Sequence, residues 1–220
     1  MKSVEERVSE TMFEDKEPVR SNGGLLGFWE GCQVLLVMMP QGKVNIALTV
    51  QEIIDKCKPE VVMCVGKAMS LTTALLPGSV IVGSHFCYYD VCLDGMDFGR
   101  YPKEPTYYHS SDDVVSRMID AGMIVHQGLF VSGDHAISNR ADAKKVANRL
   151  KRAKAFDYET TPVAQVCHAN GVPFVSVRVI YDVPVMEDKV KLMYQQFRNT
   201  NEVTMTDKLL SILDKTMESL

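Results

Sequence analysis

The sequence predicts an α/β fold: a mixed central sheet with helices packed on both sides as a three-layer α/β/α sandwich. Three observations carry this. Unbroken apolar runs such as Val61–Val65, Ser79–Val82 and Val172–Ile180 suit strands buried on both faces. Between them lie stretches whose apolar residues recur at helical spacing. Strand and helix signals also alternate along the chain, which favours an α/β arrangement over segregated layers. With 220 residues, 46% hydrophobic and 24% charged, the chain can bury about 70% of the surface its unfolded form exposes. One domain over 1–220 is expected, with 1–22 as an atypical N-terminal segment.

Taken in order, residues 1–22 are rich in Glu, Lys and Ser, and Val4, Val8, Met12 and Phe13 could line one face of a short helix. Leu25–Trp29 and Gln33–Met39 read as strands around a Glu30-Gly31 turn. A helix from Lys43 to about Lys58 carries Val44, Ala47, Val50, Ile53, Ile54 and Cys57 at helical spacing and stops at Pro59. The strand Val61–Val65 closes at Gly66. Residues 84–110 are aromatic and irregular and read as a long loop, a length usually tied to function or an interface. Ser111 suits the N-cap of a helix running to Gly122, and Ile124–Ser132 is the next strand. Asn139 caps a basic helix reaching about Lys154. Its Lys144, Lys145, Arg149, Lys151 and Arg152 resemble a nucleic-acid patch, but Ala143, Val146, Ala147 and Leu150 give it an apolar side, as for any solvated surface helix. Ala155–Asp157 is a short strand. Thr160–Ala169 is a helix with Pro162 in its first turn and Gly171 past its end. A last amphipathic helix presents Leu209, Leu210, Ile212, Leu213 and Met217.

A net charge of −4, from 24 basic and 28 acidic residues, argues against a nucleic-acid coat protein. No apolar run approaches the ~18 residues of a membrane span, and the polar N-terminus is not a secretory signal. The six cysteines form no C-x-x-C pair. They read as buried free thiols in a cytoplasmic protein, and no metal site is expected.

In open α/β sheets ligands bind beyond the carboxyl ends of the strands. Here those ends carry Gly66-Lys67-Ala68-Met69-Ser70, Ser132-Gly133-Asp134-His135, Asp157-Tyr158-Glu159 and Arg178-Val179-Ile180-Tyr181-Asp182. A carboxylate at such a position costs free energy unless it is paired or bound. Each has a plainer reading as well: Asp182 as a turn or cap residue, Glu159 as a first-turn helix acid, Asp134 as an Asx-turn.

Together with Gly42-Lys43-Val44-Asn45, Ala164-Gln165-Val166-Cys167-His168 and Val172-Pro173-Phe174, these segments resemble 5′-methylthioadenosine/S-adenosylhomocysteine nucleosidase of the nucleoside phosphorylase superfamily. The likeness runs in order from Leu25 to Asp182. It implies a nucleoside-phosphorylase-like fold, no cofactor, a homodimer or a heterodimer with a related subunit, and hydrolysis of an N-glycosidic bond to release adenine. Asp182 would protonate or hydrogen-bond the purine N7, and Glu159 would hold the ribose hydroxyls and stabilise the oxocarbenium-like cation. Arg178 would orient a carboxylate by a bidentate contact. Asp157, Tyr158, Tyr181, Lys67, Ala68 and Met69 would line the sugar and base, and the backbone at Ala136-Ile137 would lie along the adenine. The 84–110 segment would reach a partner subunit's pocket through Val91, Asp94, Met96 and Pro102.

The chain also departs from the family pattern. Val4-Glu5-Glu6-Arg7-Val8 resembles the stretch that supplies the water-activating glutamate, but the base position reads Arg7, and an always-protonated guanidinium cannot act as a base. The small glycine-rich turn reads Gly66-Lys67-Ala68-Met69-Ser70, the stacking phenylalanine reads Ala136, and an apolar position in the 84–110 segment reads Asp94. Two readings follow: a nucleosidase with altered substrate choice, or an impaired family member acting as a nucleoside-binding or regulatory subunit. Phosphorolysis is a third, with Lys67 as the nearest basic candidate.

Overall fold

The computed structural model describes residues 19–21, 24–120, 126–187, 190 and 202–219. Strands β1 (Val19–Ser21), β2 (Gly24–Trp29) and β3 (Cys32–Leu36) form a small antiparallel sheet. The expected strand to Met39 stops at Leu36. Helix α1 (Lys43–Cys57) is followed by β4 (Val62–Ser70), β5 (Val80–Tyr88), β6 (Tyr108–His109) and helix α2 (Asp112–Asp120). Then come β7 (His126–Ser132), α3 (Arg140–Arg149), β8 (Ala153–Asp157), α4 (Thr160–Asn170), β9 (Phe174–Asp182) and α5 (Glu202–Ser219).

The large sheet has the order β6-β5-β7-β8-β4-β9, and β5 pairs with β9 as well, so the sheet curls until β9 meets β5. It is mixed: β4 runs parallel to β9, β5 to β7 and β7 to β8, while β5 is antiparallel to β9. On one face, Ile46, Val50 and Ile54 of α1 and Val163, Ala164 and Cys167 of α4 pack against Ile81, Phe86, Phe130 and Ile180. On the other, Val114 and Met118 of α2 and Leu209 and Ile212 of α5 cover Val80, Val82, Val175, Val177 and Val179. Ala143 of α3 joins Leu129, Val131 and Phe156 in a third cluster. Leu25 and Trp29 of the small sheet lie against Leu210 and Leu213 of α5, with the Trp29 indole N–H donating to Asp214 at 3.0 Å.

Several expected boundaries shift for identifiable reasons. On α1 the buried line is Ile46, Val50 and Ile54, whereas Val44 is 72% exposed and Leu48 67%. The expected stripe through Val44 and Cys57 counted apolar residues without their rotation about the axis. Strand β4 does not close at Gly66; it continues to Ser70 because Gly66–Ala68 pair with Arg178–Ile180 of β9. The stretch 66–70 is therefore extended, not a turn. Strand β5 continues to Tyr88, inside the stretch read as loop. A register shift between Gly83 and His85 explains the miss: Ile81 and Phe86 share one cluster while Val82 and Cys87 lie in others, so no single alternation runs through the strand. Helix α3 stops at Arg149 rather than near Lys154, and β8 takes up Ala153 and Lys154. Asn139 caps α3 as expected, accepting from the Asp142 N–H at 2.9 Å. The stripe at Val4–Phe13 and the segment Val4–Val8 lie outside the described residues.

Candidate active site

Buried carboxylates persist only when their lone pairs are used. Asp157, at the end of β8, is 3% exposed, as is Arg178 of β9. Asp157 Oδ1 accepts from the Ser132 hydroxyl at 2.7 Å and from the Thr160 N–H at 3.1 Å. Its Oδ2 accepts from the Thr160 hydroxyl and faces Arg178 Nε at 2.9 Å. Because Thr160 opens α4, Asp157 also meets the positive end of that helix.

Arg178 does not grip one carboxylate with both arms, as its residue type suggested. It bridges two: Nε to Asp157 and Nη2 to Glu159 Oε2 at 3.4 Å. Nη2 also donates to the Thr160 hydroxyl at 2.9 Å and to Cys64 Sγ at 3.0 Å. Gly66, directly across from Arg178, leaves room for this: a Cβ there would collide with Nη1. Burial pushes the Cys64 thiol up to about 11, with Arg178 acting in the opposite sense, so it is a neutral packing group near neutral pH. Glu159 keeps 28% of its side chain exposed, so it is the member of the network that meets solvent. Burial raises its pKa and the Arg178 charge opposes the rise.

Asp182 ends β9 and accepts from the Val183 N–H at 2.8 Å, a contact with the next residue rather than the bond two or three residues on that an Asx-turn or helix cap makes. A register irregularity after Ala68 pairs Met69, not its successor, with Asp182. Paired residues direct their side chains to one face, and such irregularities commonly re-aim a side chain. Asp182 thus shares the face of Met69, and Met69 also pairs with Phe156 of β8. Asp182 and the Asp157–Glu159 turn are two strands apart, about 10 Å at ordinary strand spacing, with β4 between them.

The remaining expected residues divide. Met69, Ile137 and Tyr158 gather in one cluster with Tyr89, Leu71 and Phe156, and the Tyr158 and Phe156 rings meet edge-on at 5.0 Å. Ala136 and Lys67 are exposed, and Ala68 is packed in the core beneath α1 and α4. Tyr181 packs instead with the cluster under α2 and α5, continuing the alternation of Val175, Val177 and Val179. Val91 is 5% exposed and packed in this chain's own core, whereas Asp94 and Pro102 are exposed and Met96 is half-buried.

One constellation escaped the sequence reading. Asp90 Oδ1 takes the Lys43 ammonium at 2.6 Å, and its Oδ2 takes the Asp134 N–H at 2.8 Å. Asp134 Oδ1 in turn accepts the Lys43 N–H at 3.0 Å. This clamp ties the start of α1 to the ends of β5 and β7. The Asp134 carboxylate therefore holds another element rather than an Asx-turn of its own. The available signal was Asp90, an acid directly after an apolar strand.

A curled mixed sheet between helical layers, with acids at the ends of two of its strands, defines an α/β protein with a candidate site at those ends. A family model described as the phosphorylase superfamily matches residues 5–214. Over 195 residues the chain is 30% identical to the 5′-methylthioadenosine/S-adenosylhomocysteine nucleosidase of Halalkalibacterium halodurans, covering 86% of this chain and 84% of that one. It is 30% identical to the same enzyme of an Exiguobacterium species, covering 96% and 94%. The crystal structure of the Neisseria meningitidis nucleosidase in complex with methylthio-immucillin-A superposes with a TM-score of 0.84 at 25% identity, covering 99% of this chain and 95% of that one. The chain belongs to the phosphorylase superfamily, and within it to the 5′-methylthioadenosine/S-adenosylhomocysteine nucleosidase family.

Proposed function

We propose that this protein hydrolyses the N-glycosidic bond of a 5′-substituted adenosine such as 5′-methylthioadenosine or S-adenosylhomocysteine. The observation that carries the reading is the partly exposed Glu159, held by Arg178 two strands from Asp182, in a chain 30% identical to such enzymes. Water adds its oxygen to C1′ as the C1′–N9 bond breaks, the bonding pair leaves with the base, and the proton lost by the attacking water passes to bulk water because Arg7 cannot accept it. The Asp182 carboxyl supplies or shares the proton at N7, making adenine the leaving group. Glu159 accepts the ribose hydroxyls and offsets the positive charge on the sugar. Asp157 and Arg178 act through Glu159 by fixing its carboxylate.

Incubation of the full chain with 5′-methylthioadenosine is expected to release adenine, followed by a coupled absorbance assay. With Arg7 at the base position, turnover should be ~10²–10⁴ slower than with a glutamate there. No release above the uncatalysed rate overturns the activity, and a rate unchanged by Arg7→Glu overturns the missing-base argument. Because burial raises the Glu159 pKa, so that the folded chain holds this proton more tightly than an unfolded one, the acid limb of kcat/KM should lie above that of an ordinary glutamate. The same preference favours folding below the unfolded-state value and is lost as pH rises through the native one. Glu159→Gln should remove that limb; a limb that stays in place assigns it to another group.

The protein is further proposed to be a cytoplasmic dimer. All six cysteines are free, no helix among the described residues is long and apolar enough to cross a membrane, and Val44 and Leu48 lie one turn apart on the outer face of α1. A monomer by sedimentation at micromolar concentration would count against the dimer.

A further inference from the structure

We propose that Tyr89 is a ligand-binding residue of this site, its phenol hydroxyl giving a hydrogen bond to the bound purine nucleoside. The inference rests on the nucleoside reading above and adds to it a residue and a contact. Tyr89 follows β5, and its N–H donates to the Ser132 carbonyl at 3.2 Å, so the side chain is held beside the end of β7. The residue is 6% exposed, and its hydroxyl has no hydrogen-bond partner among the described residues. It is the single buried side-chain oxygen or nitrogen so left among them. A buried hydroxyl without a partner is costly, and natural chains rarely keep one without a use.

The surroundings say what the use is. The Tyr89 ring stands edge-on to Phe156, with centroids 5.2 Å apart and planes at 89°, and Phe156 stands edge-on to Tyr158. Met69 and Ile137 complete the cluster. Met69 is the residue in register with Asp182, and Tyr158 immediately precedes Glu159. Tyr89 thus belongs to the side-chain cluster that holds Met69, paired with Asp182, and Tyr158, the residue before Glu159. Gly133 permits this position: a Cβ there would fall 2.6 Å from Tyr89 Cε1 and 2.6 Å from Asp90 Cγ. Glycine lets the Ser132–Asp134 segment cross directly over the tyrosine. A packing role alone would be met by phenylalanine. The hydroxyl adds only a group that donates or accepts one hydrogen bond, and a purine nucleoside offers both kinds of partner on its base and its ribose.

The test compares wild type with Tyr89→Phe by calorimetric titration with adenine and with methylthio-immucillin-A, alongside thermal melts without ligand. Loss of one hydrogen bond should weaken binding roughly tenfold. The unliganded melting temperature should hold or rise, because phenylalanine removes an uncompensated polar atom. Weakening toward both ligands places the bond on the base, weakening toward methylthio-immucillin-A alone places it on the sugar side, and either supports the inference. Unchanged affinity for both, with a higher melting temperature, overturns it and leaves the nucleoside reading standing. A wild-type protein that binds neither ligand overturns both.

Discussion

Asp182→Asn should cut adenine release by ~10²–10⁴ while leaving the fold intact. The amide keeps an oxygen to accept the Val183 N–H, which Asp182 Oδ1 takes at 2.8 Å, so this contact at the end of β9 is retained. What is lost is the acidic proton for N7. Without it the bonding pair must depart on a purine anion, a poorer leaving group. The variant should bind adenine within a few-fold of wild type, since an amide can still hydrogen-bond the base. A large loss of kcat with modest loss of binding separates proton transfer from positioning. Full activity in Asp182→Asn would remove this residue as the leaving-group acid.

Arg178→Met should produce the largest loss of stability of any single change at the site. The substitution fills a similar volume but leaves Asp157 and Glu159 facing a thioether. Asp157, 3% exposed, would retain bonds from Ser132 and Thr160 but lose the only cation it contacts among the described residues. Breaking a buried ion pair from one side costs about 3–5 kcal/mol. For a chain of this size that lowers the melting temperature by roughly 10 °C. Adding Asp157→Asn should restore part of the loss, because the uncompensated charge is then gone. A single variant that melts within a degree or two of wild type would mean that water or another group reaches Asp157.

The layered fold was legible because its cause is local. Apolar runs such as Val172–Ile180 and the capping pattern at Asn139 and Gly171 announce strands and helices before any tertiary contact forms. The failures arose where long-range pairing overrides local signals. Gly66–Ser70 looks like a turn, yet pairing with β9 draws it out as strand. The 84–110 stretch hides half of β5 because an irregularity breaks the alternation. At the site, the two acids could be picked out as carboxylates after apolar strands. Two facts needed the folded chain: that Arg178 ties Asp157 to Glu159, and that Asp182 pairs with Met69 rather than with Ser70. Both depend on register between strands far apart in sequence. The Asp90–Lys43–Asp134 clamp and the unpartnered Tyr89 hydroxyl were illegible for the same reason, since each is defined only by what the fold brings beside it.

A crystal structure of the protein soaked with methylthio-immucillin-A tests directly whether Asp182 and Glu159 share one ligand. The inhibitor is expected across the end of β4, with its base nitrogen at hydrogen-bond distance from the Asp182 carboxyl and its ribose hydroxyls on Glu159. An inhibitor bound elsewhere, or one that touches only one of the two acids, would contradict it.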